Sequence, residues 1–212
     1  MDVVFVPDSE LMLPGRGGAA DPLSVVRAAA ISELTDVLHR VDIRSVLVLY
    51  CASGPFNTPL PGKEVAEGLL AATGFTGDVV FQDCRWGLDA STSFPSSEIA
   101  CDIAHNDQEH SAVILLGTGS AAREADAPIL HRPEALELDD AIQQALQNGA
   151  SGKFPAMVTD LPREVGATLV PTMVKLDSLG LSKVRVRKAL TFDALGVRYF
   201  VGSWRCDVVA QW

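Results

Sequence analysis

The sequence contains few of the side chains that commonly carry metal or redox chemistry. It has four histidines and four cysteines in 212 residues, and no two cysteines form a Cys-x-x-Cys pair. No zinc or thioredoxin-like motif is therefore present, and reduced thiols are the simplest interpretation of the cysteines. His105 and His110 are five residues apart, which does not place them on one helical face, so we interpret them as solvated.

Long apolar runs and excess positive charge are also missing. No apolar stretch approaches the ~20 residues that span a bilayer, and the first residues lack the basic and apolar regions of a signal peptide. The formal net charge is -10 and the isoelectric point is about 4.7. This charge repels nucleic-acid phosphates and anionic membranes, so we expect neither as a partner. Together these features predict a cytoplasmic protein.

Apolar residues make up 48% of the chain, and strand-like segments alternate with helix-like ones. Strands are predicted at 3–6, 44–51, 78–82, 111–116, 183–192 and 197–204. Helices are predicted after an Asp21 cap, at 63–74, at 97–105 and at 133–149. We therefore expect one α/β domain over residues 1–212, a three-layer sandwich with a mostly parallel central sheet.

The stretch SAVILLGTGSAAREADAP, residues 111–128, places a glycine-rich turn after a buried strand. Gly117, Gly119 and Ala122 fit a loose dinucleotide-binding spacing. A nucleotide site also needs the strand to run directly into a long helix, and Pro128 interrupts such a helix early. The context therefore disfavours a nucleotide cradle.

Nucleophilic catalysis is a second interpretation of the loops after the strands. Ser53 or Ser120 could form a triad with His131 and an aspartate, although neither serine lies in a Gly-x-Ser-x-Gly elbow. Cys51 is an alternative nucleophile. His131 is the one histidine that we expect near the carboxyl end of a strand.

A basic strip near the end of the chain alternates with valines. Lys183, Arg185 and Arg187 are two residues apart, which places them on one face of a strand. A solvated edge strand, protected by charge against aggregation, is the favoured interpretation. A docking surface for an acidic partner is the alternative.

Three segments carry a resemblance to a known family: VVFVP at 3–7, VILLGTGSAAREADAP at 113–128 and ALGVRYFVGSW at 194–204. In this order and spacing, the chain resembles the class III extradiol (aromatic ring-opening) dioxygenase superfamily, and most closely its short actinobacterial members. The resemblance implies an extradiol-dioxygenase type of fold. In active members it implies a non-haem Fe(II) held by two histidines and one glutamate.

The residues that the resemblance assigns to iron binding differ here. Phe5 stands at the first histidine position, before Val6 and Pro7. The second histidine would follow the second strand, where YCASGP carries no imidazole. Ala122 or Arg123 stands where the acid–base histidine would follow the glycine-rich turn, Asp83-Cys84-Arg85 only faintly matches the family's Asp-His-Gly, and no residue matches the glutamate. A facial triad needs all three ligands together, so we expect no metal and no cofactor, although an active member would use Fe(II).

The carboxyl ends of the strands should still form a crevice, the usual ligand site of open α/β sheets. The residues expected there are Asp8, Ser9, Glu10, Cys51, Ser53, Asn57, Thr118, Ser120 and Arg123, with Asp126 and His131 nearby. By the resemblance, the glycine-rich turn forms the floor of this cleft. Arg123 could bind an anionic group through its planar fork, but we favour an internal ion pair with Asp8 or Glu10.

Two classes of function remain open. The first is a ligand-binding or non-catalytic relative of the dioxygenases, and the histidine deficit favours it. The second is an enzyme, either a ring-cleaving dioxygenase with a rearranged metal site or a metal-free hydrolase; the candidate catalytic residues are Ser53, Cys51, Arg123 and His131. The expected partner is a small-molecule ligand. A homodimer through Trp204 and Trp212 and the packing of Trp212 on its own domain are equally open.

Overall fold

The computed structural model describes residues 1–40, 43–54, 58–84, 86, 110–124, 129, 131–149 and 160–208. This part of the chain is α/β, with one six-stranded mixed sheet. Its strands are β1 (Asp2–Val6), β2 (Ser45–Tyr50), β3 (Asp78–Asp83), β4 (Ser111–Leu116), β5 (Leu181–Ala194) and β6 (Val197–Val208). Its helices are α1 (Ser24–Arg40), α2 (Gly62–Thr73), α3 (Glu134–Asn148), α4 (Leu161–Glu164) and α5 (Leu169–Asp177), with a 3₁₀ turn at Glu10–Met12.

The sheet joins a parallel part to an antiparallel hairpin. The strand order is β3-β2-β4-β1-β6-β5. Strands β3, β2, β4 and β1 are parallel to their neighbours in this order, whereas β6 is antiparallel to both β1 and β5. Val6 pairs with Leu116, and Tyr50 pairs with Asp83, so the carboxyl ends of these four strands fall at one edge.

The parallel strands are continuous apolar runs because both faces of the sheet are covered. Val3 and Phe5 of β1 pack in a cluster with α3 and α5, whereas Val4 and Val6 pack in a second cluster with α1 and α2. The same alternation runs through β2 and β4. Each strand therefore contributes side chains to two cores, one on either side of the sheet.

The helix boundaries agree with the local signals in the sequence. Asp21 Oδ1 accepts a hydrogen bond from the Leu23 N–H at 3.3 Å just before α1. Gly74 and Gly149 follow α2 and α3 in the left-handed region, with φ of 71° and 62°. The predicted helix at 97–105 lies outside the described residues. None of the helices in the described ranges is both long and apolar enough to cross a membrane.

The prediction that Trp204 offers an apolar surface to a partner is wrong. Trp204 is fully buried and packs edge-to-face on Phe5, with ring centroids 5.7 Å apart. Its Nε1–H donates to the Leu146 carbonyl oxygen at 2.9 Å. The indole belongs to the core because β6 lies inside the sheet, between β1 and β5. Trp212 lies outside the described residues.

Candidate functional site

The carboxyl ends of β1, β2 and β4 lie side by side, and the segments that follow these strands lead to different faces of the sheet. The helices that follow β1 and β2 pack on one face of the sheet, and the helices that follow β4 pack on the other. Open α/β sheets form a crevice at the point where the connections from neighbouring strands pass to opposite faces of the sheet. We call the residues gathered at this point, Asp8, Cys51, Cys84, Thr118 and Thr168, the Asp8 cluster.

Asp8 is the most unusual group of this cluster. It is 5% exposed, and its Oδ2 has no hydrogen-bond partner in the described part of the chain. Burial raises the pKa of Asp8 to about 6, while a hydrogen bond with Thr168 opposes the shift. The negative charge of Asp8 in turn helps burial to raise the pKa of Tyr199 to about 12. Asp8 is therefore a carboxyl group that can change protonation state near neutral pH.

Two cysteines follow β2 and β3, and the first of them, Cys51, lies close enough to Asp8 for its charge to act on the thiol. The Cys51 thiol donates to the Cys84 carbonyl oxygen, with 2.9 Å between Sγ and oxygen. Burial raises the pKa of both thiols, that of Cys84 to about 12, and the charges of Asp8 and Asp83 add to the effect on Cys51. A thiol in this environment stays protonated, which makes it a poor nucleophile.

The start of α5 closes one side of the cluster. The Thr118 N–H donates to Thr168 Oγ1 at 2.9 Å, and the Leu169 N–H donates to the Thr118 carbonyl oxygen at 3.0 Å. Gly117 allows this approach, because a Cβ there would lie 2.3 Å from the Leu169 Cα. Sequence reasoning missed Thr168, which lies 50 residues beyond Thr118 in a segment with no pattern that points to a site.

The rest of the glycine-rich turn holds a side chain of α3. The Ser120 N–H donates to Asp139 Oδ1 at 2.7 Å, and a Cβ on Gly119 would lie 2.6 Å from the same oxygen. Asp139 is fully buried. The turn thus receives a carboxylate of the chain itself, in the manner in which backbone N–H groups elsewhere receive a phosphate.

Arg123 forms an internal ion pair, but not with the predicted partners. The Arg123 Nε lies 3.1 Å from Asp139 Oδ2, but the two atoms are not aligned as a hydrogen bond. The Arg123 Nη1 donates a hydrogen bond to Asp193. Asp8 or Glu10 was the expected partner; the prediction failed because α3 and β5, both distant in sequence, supply nearer carboxylates. Burial raises the pKa of Asp139 to about 7, since desolvation outweighs the favourable effects of Ser120 and Arg123.

Arg198 extends this set of charges to the surface. It lies 3.1 Å from Asp193 and 2.6 Å from Asp140. The two arginines hold the pKa of Asp193 below its usual value. We call Arg123, Asp139, Asp140, Asp193 and Arg198 the Asp139 network.

The remaining predicted cleft residues lie in different surroundings. Ser9 caps the 3₁₀ turn by accepting the Leu11 N–H at 3.4 Å. Glu10 is exposed and lies 3.2 Å from Arg16. Ser120 is fully buried, and its hydroxyl donates to the Val165 carbonyl oxygen at 3.3 Å. The structure therefore gives Ser9, Glu10 and Ser120 local roles in turns, loops and surface charge pairs.

The groups predicted for a hydrolase are not joined in the structure. The Ser53 carbonyl oxygen accepts the Trp86 Nε1–H at 2.9 Å, and Ser53 forms a β-bridge with Pro59. His131 is exposed. Across the described ranges, no hydrogen bond links Ser53 or Ser120 to a histidine. Asn57, Asp126 and His105 lie outside those ranges.

Among the described residues, the donor set does not fit the iron that the resemblance implies. Phe5, at the first ligand position, is a fully buried core residue packed on Trp204. In the part of the chain that the structure describes, no three histidine, cysteine, aspartate or glutamate side chains are grouped as metal ligands.

Comparison with known proteins assigns the chain to no family. No family model matches it, and no curated protein is significantly similar to it.

Proposed function

We propose that the chain binds a small hydroxyl-bearing molecule at the Asp8 cluster and does so without iron. The observation that carries the proposal is the buried Asp8 Oδ2 that lacks a hydrogen bond. A buried polar atom without a partner costs about 1–3 kcal/mol. A ligand hydroxyl that donates to this oxygen removes that cost.

The surroundings of Asp8 support this ligand chemistry. No cation of the described residues acts on Asp8 itself, so an anionic ligand that approached this carboxylate would be repelled. The positive charge of Lys175 acts on the other side of the cluster, at Cys84. Thr118 and Thr168 supply hydroxyls, 3.3 Å apart, that can act as donor or acceptor. Such a site favours a neutral ligand with hydroxyl groups over a phosphate or a carboxylate.

The resemblance to extradiol dioxygenases supports an aromatic diol as the ligand class. Helices pack on both faces of the sheet, and four neighbouring strands are parallel. Both features support our proposal that the fold is a three-layer sandwich of the extradiol-dioxygenase type. In this proposal, Phe5 stands at the position of an iron-binding histidine, and the crevice still binds a small-molecule ligand. The proposed protein is thus a non-catalytic relative of ring-opening enzymes.

Calorimetric titration with catechol, in the absence of oxygen, tests the proposal. We expect saturable 1:1 binding and a loss of affinity of about tenfold or more in Asp8→Asn, because a charge-assisted hydrogen bond is lost. Glu10→Gln is the matched control and should bind as the wild type does, since Glu10 is exposed and paired with Arg16. Equal affinities in all three proteins would refute the role of Asp8.

Metal analysis decides between this proposal and the enzymatic alternatives. Protein purified without a chelator or a histidine tag should contain substoichiometric iron. Stoichiometric iron, with oxygen uptake on catechol, would favour a dioxygenase with a rearranged metal site. Ester hydrolysis that disappears in Ser53→Ala or Cys51→Ala would favour the metal-free hydrolase.

A further inference from the structure

A polar groove lies at the end of the sheet opposite the Asp8 cluster. A groove of about 180 Å³ is lined by Lys183, Arg185, Arg205, Cys206 and Asp207. Arg205 pairs with Asp2 at the amino end of β1, whereas Asp8 follows the carboxyl end of the same strand. The groove is therefore separate from the Asp8 cluster, and neither the ligand nor the fold proposed above depends on it.

The groove is basic in a strongly acidic chain. Three of its five lining residues are cations, although the formal net charge of the protein is -10. Two of the cations have carboxylate partners: Lys183 lies 3.1 Å from Asp207, and Arg205 pairs with the buried Asp2. Arg185 is exposed and has no ion pair within the described ranges. Arg185 is thus the one cation of the groove with no ion-pair partner in the part of the chain that the structure describes.

The unpaired arginine faces a second arginine across the hairpin. Arg185 of β5 is the direct register partner of Arg205 of β6. Like charges at directly opposed positions of an antiparallel pair are destabilising. An anion between the two guanidinium groups would convert this repulsion into attraction.

The backbone of β5 is irregular at the same point. The register shifts between Ser182 and Arg185 and again between Val186 and Lys188. Lys183, inside the first irregularity, has a φ of 49°, in the left-handed region that a lysine rarely adopts. Bulges change the direction of side chains and occur often beside functional sites. The irregular backbone and the unpaired cation coincide at the groove.

We propose that this groove binds the phosphoryl group of a small molecule. A guanidinium fork matches two oxygens of a phosphate. Arg185 offers an unpaired fork, and Arg205, whose Nη1 already donates to Asp2, adds a second positive charge from the opposite strand. At about 180 Å³ the groove is smaller than a pocket for a drug-sized ligand. It accommodates inorganic phosphate or a phosphomonoester with a small organic part.

Calorimetric titrations with inorganic phosphate and with glycerol 3-phosphate, at low ionic strength, test the proposal and distinguish the two sources. We expect at least one to bind with a Kd below about 10 mM. Tighter binding of glycerol 3-phosphate identifies a phosphorylated organic ligand, and equal or tighter binding of phosphate identifies the free ion. Saturation by neither would overturn the proposal.

Three exposed substitutions sharpen the test. Arg185→Gln should weaken binding by about tenfold, since it removes a charged donor of the groove. Asp207→Asn should strengthen binding, because it removes the carboxylate that lines the same groove. Arg163→Gln changes an exposed arginine of α4 and should leave the affinity unaltered. An equal affinity in Arg185→Gln and Arg163→Gln would contradict the assignment.

Thermal unfolding supplies an independent readout. Without phosphate, Arg185→Gln should be at least as stable as the wild type, because the repulsion with Arg205 is gone. A saturating concentration of phosphate or glycerol 3-phosphate, whichever binds more tightly, should raise the wild-type Tm by about 2–4 °C and leave the Tm of Arg185→Gln nearly unchanged. An equal rise in both proteins would refute binding at Arg185.

Discussion

Asp8 and Asp139 are both buried carboxyl groups beside the glycine-rich end of β4, and they differ in what surrounds them. Asp139 accepts the Ser120 N–H, and its Oδ2 lies 3.1 Å from the Arg123 guanidinium. Asp8 Oδ2 has neither a hydrogen bond nor a cation in the described residues. Asp139 Oδ2 also lacks an aligned hydrogen bond, so the two carboxyls differ chiefly in the cation that the chain places beside Asp139.

This difference separates a structural acid from a binding one. The Asp139 network joins the turn after β4 to α3 and to the β5–β6 hairpin, so its removal should destabilise the fold. Burial raises the pKa of both carboxyls, but only Asp139 gains a compensating charge. Ionisation therefore lowers stability at both carboxyls, since burial raises the pKa of Asp8 to about 6 and that of Asp139 to about 7. The two differ in their partners, because Asp139 has a cation beside it and Asp8 does not.

The largest expected effect is the loss of Asp139. Asp139→Leu should lower the free energy of unfolding by about 3–5 kcal/mol, because it leaves Arg123 without its buried partner and the Ser120 N–H without an acceptor. Asp8→Leu, the matched change at the other carboxyl, should cost about 1 kcal/mol or less, since no cation loses a partner and removal of the destabilising buried charge offsets the lost hydrogen bond with Thr168. Urea unfolding at pH 7 measures both. Similar losses in the two variants would remove the distinction.

Asp8→Asn should produce a pH-dependent gain in stability. The folded-state pKa of Asp8 is raised from 3.8 to about 6, so between these values the folded state binds more protons than the unfolded state. The stability that Asp8 contributes therefore falls as the pH rises from about 4 to about 6. Above pH 6 the variant should exceed the wild type by about 2–3 kcal/mol, and at pH 3.5 the difference should vanish.

Unfolding curves of both proteins from pH 3.5 to pH 8 check this expectation. A difference between Asp8→Asn and the wild type that stays constant with pH would mean that Asp8 does not titrate in this range.

Gly119→Ala probes how closely Asp139 approaches the turn. A Cβ at this position would lie 2.6 Å from Asp139 Oδ1 and 3.0 Å from the Arg198 carbonyl oxygen. We expect a loss of about 2 kcal/mol, because the carboxylate must move and the backbone oxygen cannot. Chemical denaturation is the measurement, and a neutral substitution would show that the turn does not hold Asp139 as described.

The smallest effect is expected at the exposed side of the Asp139 network. Asp193 is half exposed and contacts Arg123 and Arg198. Asp193→Asn should cost about 0.5–1 kcal/mol at low salt and less in 0.5 M NaCl. Because the pKa of Asp193 is lowered, its contribution is present at neutral pH and is lost as the pH falls below about 4. A loss that salt does not reduce would contradict this assignment.

The sequence predicted the strands and helices well because the relevant signals are local. The run 111–116 coincides with β4, and Gly149 ends α3 as expected. The antiparallel pairing of β6 with β1 was not predictable from such signals, since it joins residues about 200 apart.

The candidate site was only partly predictable for the same reason. Asp8, Cys51 and Thr118 follow strands, so the crevice rule found them. Asp139 lies on α3 and Thr168 directly precedes α5, and the position of both helices depends on the packing of the whole sheet. The rule also included Glu10, which lies on the surface because the 3₁₀ turn directs Met12, and not Glu10, into the core.

The protonation of Asp8 tests the account most directly. A titration of its side-chain carboxyl carbon by NMR, with and without saturating catechol, measures the pKa in the folded protein. We predict a midpoint of about 6 in the free protein, and a lower one with catechol, because a donated hydrogen bond favours the charged form. A midpoint of about 4 that catechol does not change would contradict both the burial of Asp8 without a cation and its role in binding.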